Sequence, residues 1–330
     1  MKLLPWQLQQ WKQLYDYKKQ SRVPQALLIN GTKGIGKLNL AEQFAFSLLC
    51  VHPSSNGLNC GNCKSCMLLK AESHPDLIKI YPEEPGKIIT IGQIRHLLNQ
   101  LNLKPQFNNY RVVIIHPAEQ LNNSANNAFL KFLEEPTERT ILILVSNDYS
   151  NIPATIISRC QKITLTKPDK DTTIGWLRSQ NPKLSVTNAE IIQQINQGSP
   201  FKSLDFDKNQ MIFLRKECFD DWTQVSKQLQ NPSVIAEKWQ KIEGLQLLEW
   251  IASWIIDVVK CKHQINTTSL NNPDFEKQLV DTAQKIKLPE AFKVYDLILI
   301  SKERIVTQLN KQSILEEILI GWHRINQIIN

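Results

Sequence analysis

No apolar run in these 330 residues approaches the ~20 needed to cross a bilayer as a helix, so membrane insertion is not expected. The opening residues Met1-Lys2-Leu3-Leu4-Pro5-Trp6-Gln7 pass straight into polar, glutamine-rich sequence. They carry neither the apolar segment nor the small-residue cleavage site of a secretory leader, and the expected location is the cytoplasm. A basic arm is missing too. The 39 Lys and Arg residues are diluted among 31 Asp and Glu, so the net charge of +8 suits work near a polyanion without marking out a DNA-binding surface. There is no internal repeat, no low-complexity tract, and no pair of carboxylates in a strand context fit for two-metal nucleotidyl transfer. Polymerase chemistry is therefore not expected in this chain.

What is present reads as ordinary globular sequence, 42% hydrophobic and 21% charged, long enough for a nucleotide-binding-sized domain and one or two smaller ones. An amphipathic stretch, Trp6 to Tyr17, precedes the apolar run Ala26-Leu27-Leu28-Ile29. That run enters a glycine loop, and Leu40, Ala41, Phe44, Ala45, Leu48 and Leu49 then recur at helical spacing. Two further strand-like runs, Arg111 to Ile115 and Thr140 to Val145, flank a helical segment from Ala125 to Glu135. Strands apolar on consecutive residues imply a parallel sheet covered on both faces, so residues 1 to about 165 form one α/β domain. Helical patterns follow. A small helical domain is expected over 166–206, with a break at Gly198-Ser199-Pro200 and a linker in the polar stretch Asp205 to Gln210. A larger helical domain is expected over 207–330. In it Leu245, Leu248, Ile251, Ala252, Ile255, Val258 and Val259 share one helix face, and Leu309, Ile314, Leu315, Ile318, Leu319 and Trp322 make a late helix.

Gly31-x-x-x-x-Gly36-Lys37, with Gly34 between, has phosphate-loop spacing between a strand and a helix. Such glycines turn backbone amides toward phosphate oxygens, while the helix N-terminus and the lysine add positive potential. Two parts of the machinery are absent. Position 38 is Leu38, where a Ser or Thr hydroxyl would bind magnesium, and the second strand run ends in His116-Pro117, where an acidic pair would hold the metal and activate water. No magnesium site and no hydrolysis are expected here. ATP or ADP binding without turnover stays open, because Lys37 and the loop amides survive.

Seven cysteines are an odd number, and four of them, Cys50, Cys60, Cys63 and Cys66, fall within seventeen residues. Four thiolates, with Gly57 and Gly61 giving the chain room to turn, suit a closed structural zinc site. Iron–sulfur ligation and free buried thiols are the alternatives. His52 is the one nearby substitute ligand. Cys160, Cys218 and Cys261 read as buried thiols.

The broken phosphate loop, the cysteine cluster after its helix, the segment Ala125 to Pro136, His74-Pro75-Asp76, and Pro153-Ala154-Thr155-Ile156-Ile157-Ser158-Arg159-Cys160 together resemble the bacterial DNA polymerase III delta-prime subunits. More broadly the chain is similar to clamp-loader ATPases of the AAA+ class. The specific motifs cover about the first 165 residues. The resemblance implies a RecA-like α/β domain with a parallel sheet, a small helical lid, and an all-α collar that holds five subunits in an open ring. Its partners would be gamma/tau-type ATPase subunits and a delta subunit, with the sliding clamp and primed DNA reached through the complex. It also implies a stator rather than a motor. Arg159, supported by Ser158, would be an arginine finger reaching ATP held by a neighbouring subunit; an ordinary salt bridge is the alternative reading of Arg159. Ser146-Asn147 matches a polar position facing the γ-phosphate in active relatives, and Lys202 stands where an arginine would touch nucleotide. Lys70 and Lys131 are either partner-facing or ordinary solvated lysines. Two rivals remain: an active AAA+ motor subunit, and a zinc-containing nucleic-acid-binding module outside any ring. The second lacks the aromatic residues it would need between Cys50 and Cys66.

Overall fold

The computed structural model describes residues 3–84, 86–101, 105–107, 110–135, 137–263, 270–306 and 310–327. The chain divides into two compact units, Met1–Trp176 with Gly198–Phe201, and Leu177–Gln197 with Lys202–Asn330. No helix among the described residues is long and apolar enough to cross a membrane.

The first unit is built on five parallel strands, β1 (Ala26–Asn30), β2 (Leu77–Ile80), β3 (Arg111–Ile115), β4 (Thr140–Ser146) and β5 (Gln161–Thr164), in the order β2-β3-β4-β1-β5. Its helices are α1 (Leu8–Lys19), α2 (Lys37–Leu49), α3 (Lys64–Lys70), α4 (Ile91–Leu101), α5 (Asn123–Glu134) and the single turn α6 (Ala154–Ile157). The central strands alternate between two cores. Leu27, Ile29, Val112, Ile114, Ile141, Ile143 and Val145 pack with α1 and α2 on one face. Ala26, Leu28, Val113, Ile115, Leu142 and Leu144 pack with α4 and α5 on the other. With both faces covered, every position of β1, β3 and β4 is buried, which is why their sequences read as unbroken apolar runs.

The two edge strands are the ones that sequence patterning missed. β2 and β5 have four residues each; β2 is only half-buried, and β5 exposes three of its four side chains. An edge strand covered on one side needs no apolar run.

α7 (Lys170–Gln180), α8 (Val186–Ile195) and α9 (Pro200–Lys208) follow, then α10 (Met211–Ser226), α11 (Pro232–Trp239), α12 (Gly244–Lys262), α13 (Glu276–Lys285), α14 (Leu288–Val306) and α15 (Lys311–Gln327). The linker expected over Asp205 to Gln210 is not there: Asp205 to Lys208 complete α9. The chain turns at Asn209 and at Gln210, whose φ is +53°. Polarity there marks an exposed helix end.

α12 packs against α13 and α14, while α15 packs against α10, α11 and α14. The face expected for α12 is largely right, but Leu245 is exposed, and Leu247, Trp250 and Trp254 are buried in its place. Tryptophan carries the difference. Trp222 stacks on Trp322 with centroids 4.0 Å apart, Phe219 stacks on Phe275 at 3.7 Å, and Trp254 meets Phe219 edge-on at 5.1 Å. Ile314, Leu315, Ile318, Leu319 and Trp322 of the late helix are all buried; Leu309 lies outside the described residues.

Beside these rings Arg215, wholly buried, donates to both oxygens of Asp274 at 2.7 and 3.2 Å and to Asn272 Oδ1 at 2.5 Å, with its guanidinium 4.3 Å from the Phe275 ring centre. Asp257, also wholly buried, accepts the backbone N–H groups of Asn271 and Asn272. Charges so deeply placed persist because each is paired and hydrogen-bonded, and they fix how the segment 270–275 lies against α10 and α12.

Candidate functional site

The glycine loop leaves the C-terminal end of β1 and enters α2. Gly31, Gly34 and Gly36 have φ of +151°, +80° and +84°, backbone that side-chain-bearing residues rarely adopt. At Gly36 a Cβ would also collide with the Leu4 side chain at 2.5 Å. The chain holds this loop itself. Trp6 Nε1 donates to the Ile35 carbonyl (2.8 Å), Gln7 Nε2 to that of Gly36 (2.7 Å), Ser199 Oγ to that of Lys33 (3.1 Å), and the Phe201 N–H to that of Gly34 (3.0 Å). Beside it Trp176 meets Trp6 edge-on and Phe201 at a tilt, with centroids 5.3 and 5.4 Å apart.

Lys37 does not reach out of the loop. Its ammonium donates to the Thr32 carbonyl at 2.6 Å, the residue is 4% exposed, and burial pulls its pKa down to about 8 against a smaller upward pull from Glu119. A buried lysine held this way costs stability at neutral pH. Lys37→Met is therefore expected to raise the free energy of unfolding by about 1–2 kcal/mol near neutrality, since the exposed Thr32 can turn its carbonyl to water. Between about 8 and the ordinary 10.5, the unfolded chain keeps a proton that the folded one has released. Wild-type stability from this residue thus rises with pH across that window, and the advantage of Lys37→Met shrinks. Urea midpoints of the two proteins at about pH 7 and about pH 9.5 measure both effects, and a destabilised variant at neutral pH would refute the reading.

At the end of β3, His116 is half-buried. Its Nδ1–H donates to the Val145 carbonyl at 3.4 Å, and burial lowers its pKa, so it is a neutral imidazole where magnesium would need oxygen. Pro117 offers no ligand. Glu119, which sequence reading passed over, is a carboxylate that acts on both Lys37 and His116. Its Oε1 accepts both the backbone and side-chain N–H of Asn147, at 3.1 and 3.0 Å. Asn147 is thereby committed to Glu119, while Ser146 is buried with an unpartnered hydroxyl.

The four cysteines are brought together as their spacing predicts. Cys50 ends α2, Cys63 caps α3, Cys66 lies within α3, and Cys60 is on the loop between. The sulfurs lie within 4.8 Å of one another, with pairs at 3.6, 3.9 and 4.0 Å. Tetrahedral zinc at ~2.3 Å from each sulfur needs edges of ~3.8 Å, so the donor set fits. Backbone N–H groups of Cys60, Cys63 and Cys66 donate to Cys50, Cys60 and Cys63 sulfurs at 3.3–3.4 Å, an arrangement that suits thiolates. His52 is exposed and outside the cluster.

The loop over 54–57 is clamped by α1. Tyr15 Oη and Trp11 Nε1 donate to the Ser55 and Asn56 carbonyls, and a Cβ at Gly57 would meet the Tyr15 ring at 2.1 Å. His74-Pro75-Asp76 clamps the other end. Ser65 Oγ donates to the Leu49 carbonyl (2.7 Å), which leaves His74 Nε2–H to donate to Ser65 (2.9 Å), while His74 Nδ1 accepts the Asp76 N–H (3.1 Å). The Asp76 carboxylate takes the N–H groups of Gln106 and Phe107. The motif thus ties α3 to β2 and to the segment before β3, and it is structural.

Arg159 stands at the other end of the sheet. Gln161, two residues on, pairs with Leu27 near the start of β1, whereas the glycine loop begins where β1 ends. Four strand residues separate the two by roughly 13 Å or more. Arg159 is 38% exposed in its side chain and cannot serve the chain's own loop. Its Nη1 donates to the Thr155 carbonyl at 2.9 Å and its Nη2 to Glu134 at 2.8 Å. Ser158 Oγ donates to the same Thr155 carbonyl at 3.1 Å. An open cleft of about 370 Å³, lined by Gln25, Leu133, Ser158, Arg159 and Cys160 among others, lies beside them. Lys70, Lys131 and Lys202 are exposed. Cys160 and Cys218 are buried, and Cys261 is half-buried.

The family described as "DNA polymerase III, delta subunit" matches residues 6–169, and the one described as "DNA polymerase III, delta subunit, C terminal" matches residues 209–324. The DNA polymerase III subunit delta' of Pseudomonas aeruginosa is 30% identical over 322 residues, 97% of each chain. That of Haemophilus influenzae is 31% identical over 267 residues, 80% of each. Among solved structures, a DNA polymerase III gamma subunit-related protein from Thermotoga maritima aligns with a TM-score of 0.46 and 18% identity, covering 95% of this chain and 99% of that one. With close likeness running along nearly its whole length, this chain belongs to the bacterial DNA polymerase III delta-prime subunits of the AAA+ clamp-loader family.

Proposed function

We propose that this chain is a non-hydrolysing stator of a clamp loader, supplying Arg159 in trans to ATP bound by a neighbouring gamma/tau-type subunit while the ring loads a sliding clamp onto primed DNA. The observation that carries this reading is the placement of Arg159, exposed at the N-terminal ends of the strands and facing away from the chain's own phosphate loop. A guanidinium delivered from outside stabilises charge on the transferring γ-phosphoryl group. The chain's own loop lacks the means to turn ATP over: Leu38 and Pro117 offer no magnesium ligand, His116 is a neutral donor, and Glu119 stands alone where a carboxylate pair is needed, with one oxygen taken up by Asn147 and the other buried. The chain therefore has no ATPase or polymerase activity of its own, and nucleotidyl transfer belongs to the holoenzyme.

Residues 1–165 act as the AAA+ domain, 166–206 as the lid and 207–330 as the collar that holds the chain in a cytoplasmic five-subunit ring with a delta subunit. Cys50, Cys60, Cys63 and Cys66 hold a structural zinc ion, whose chemistry is to cross-link the end of α2 to α3, with no open position for water. The test of the stator reading is DNA- and clamp-stimulated ATP turnover, first by the purified chain and then by the chain mixed with the intact ATPase subunits of its genome. Turnover is expected only in the mixture; hydrolysis by the chain alone would mean a motor with unfamiliar magnesium ligation.

A further inference from the structure

The guanidinium of Arg159 is not left to wander. Two acceptors from two different elements take one N–H from each Nη: the Thr155 carbonyl in α6 at 2.9 Å, and the Glu134 carboxylate at the C-terminal end of α5 at 2.8 Å. Arginine has five N–H donors in a planar fork, so three stay free, Nε–H and one on each Nη. The backbone acceptor fixes one arm, but only the second, from α5, sets the plane of the fork. A free arginine side chain carries rotamer entropy, which a finger must surrender when it meets phosphate.

From this geometry we infer that Glu134 is a positioning residue for the finger, presetting the Arg159 guanidinium with three donors turned out for the phosphoryl oxygens of a nucleotide on the neighbouring subunit. The inference rests on the reading of Arg159 as a finger acting in trans. Glu134 touches no nucleotide; it acts through Arg159 alone. The pair is exposed, with the Glu134 side chain 54% accessible, so its strength is that of a surface ion pair and its effect on rate is correspondingly modest. Because the contribution is orientation rather than charge, an uncharged acceptor of the same reach retains most of it.

The experiment is steady-state ATP turnover by the reconstituted complex carrying wild type, Glu134→Ala, Glu134→Gln, Arg159→Ala or the double variant Glu134→Ala/Arg159→Ala. Glu134→Ala is expected to lower kcat about twofold to fivefold with the KM for ATP unchanged. Glu134→Gln restores most of that loss, and the double variant is no slower than Arg159→Ala alone. Unchanged or faster turnover with Glu134→Ala, while Arg159→Ala is crippled, would overturn the positioning role and leave the finger standing; a rise would mean that Glu134 holds the arginine back. A further loss from Glu134→Ala in the Arg159→Ala background would likewise overturn it, since Glu134 would then act on something other than the finger. Normal turnover with Arg159→Ala would overturn both readings together.

Discussion

Replacing Arg159 with alanine is expected to depress ATP turnover by the neighbouring motor subunit about 10³-fold or more, the range that arginine fingers contribute, while leaving this chain folded and still able to join the complex. Both halves of that expectation have a physical basis. The catalytic half follows from charge: the γ-phosphoryl group spreads negative charge over its oxygens in the transition state, and a planar cation in a water-poor interface is worth far more there than in water. The structural half follows from exposure. Arg159 and Glu134 are both substantially accessible, and surface ion pairs contribute about 0–1 kcal/mol, too little to threaten the fold. Turnover of the reconstituted complex, with co-elution of the variant as the assembly control, separates the two. Normal turnover would sink the claim that the finger works in trans. Failure to assemble would show instead that Arg159 serves the interface and not the reaction.

A Cys60→Ser chain is expected to lose one zinc ion per molecule and to unfold at markedly lower temperature than wild type. In isolated zinc-finger peptides the metal contributes ~10–16 kcal/mol of apparent binding energy, which is folding energy where no site exists without it. Here α2 is held by the sheet through Phe44, Leu48 and Leu49, so only part of that energy is available to the fold, and a loss of roughly 3 kcal/mol or more is expected. The loss should be local at first. Tyr15, Trp11 and His74 clamp the loop at both ends, and the span between Val51 and Cys63 is the segment that opens and becomes cleavable by protease. Metal analysis, thermal unfolding and limited proteolysis check the three parts. Unchanged metal content and stability would refute the zinc assignment, and iron with a visible charge-transfer band would replace it by a cluster.

Much of the nucleotide-binding-type half could be read from the chain. The apolar runs of β1, β3 and β4 announce themselves because both faces of those strands are covered. Glycines at 31, 34 and 36 stand out because the loop needs positive φ, and cysteines at 50, 60, 63 and 66 because four sulfurs must converge. The substitutions that silence the site, Leu38, His116 and Pro117, are single letters read against a motif. What escaped was whatever depends on a partner distant in sequence. β2 and β5 are edge strands of four residues: β2, apolar at three of them, is too short to stand out, and the polar composition of β5 makes sense only once its neighbour is known. Glu119 looks like any loop glutamate until it is seen bonded to Asn147, and Glu134 like any helix-end acid until Arg159 arrives from 25 residues away. The apolar pattern of α12 suggested Leu245, yet that residue is exposed while Leu247, Trp250 and Trp254 are buried, Trp250 against Phe206 and Trp254 against Trp222 of α10.

The sequence by itself therefore determined the fold class, the four-thiol cluster and the loss of the hydrolytic parts, because local periodicity, fixed ligand spacing and missing side-chain chemistry are properties of the chain. Only the tertiary structure decided where those parts point. It folded Lys37 back onto its own loop, turned His74-Pro75-Asp76 into a clamp, and placed Arg159 at the far end of a parallel sheet from Gly31. Where a side chain ends up is set by the elements that the fold packs around it, and no residue carries that information alone.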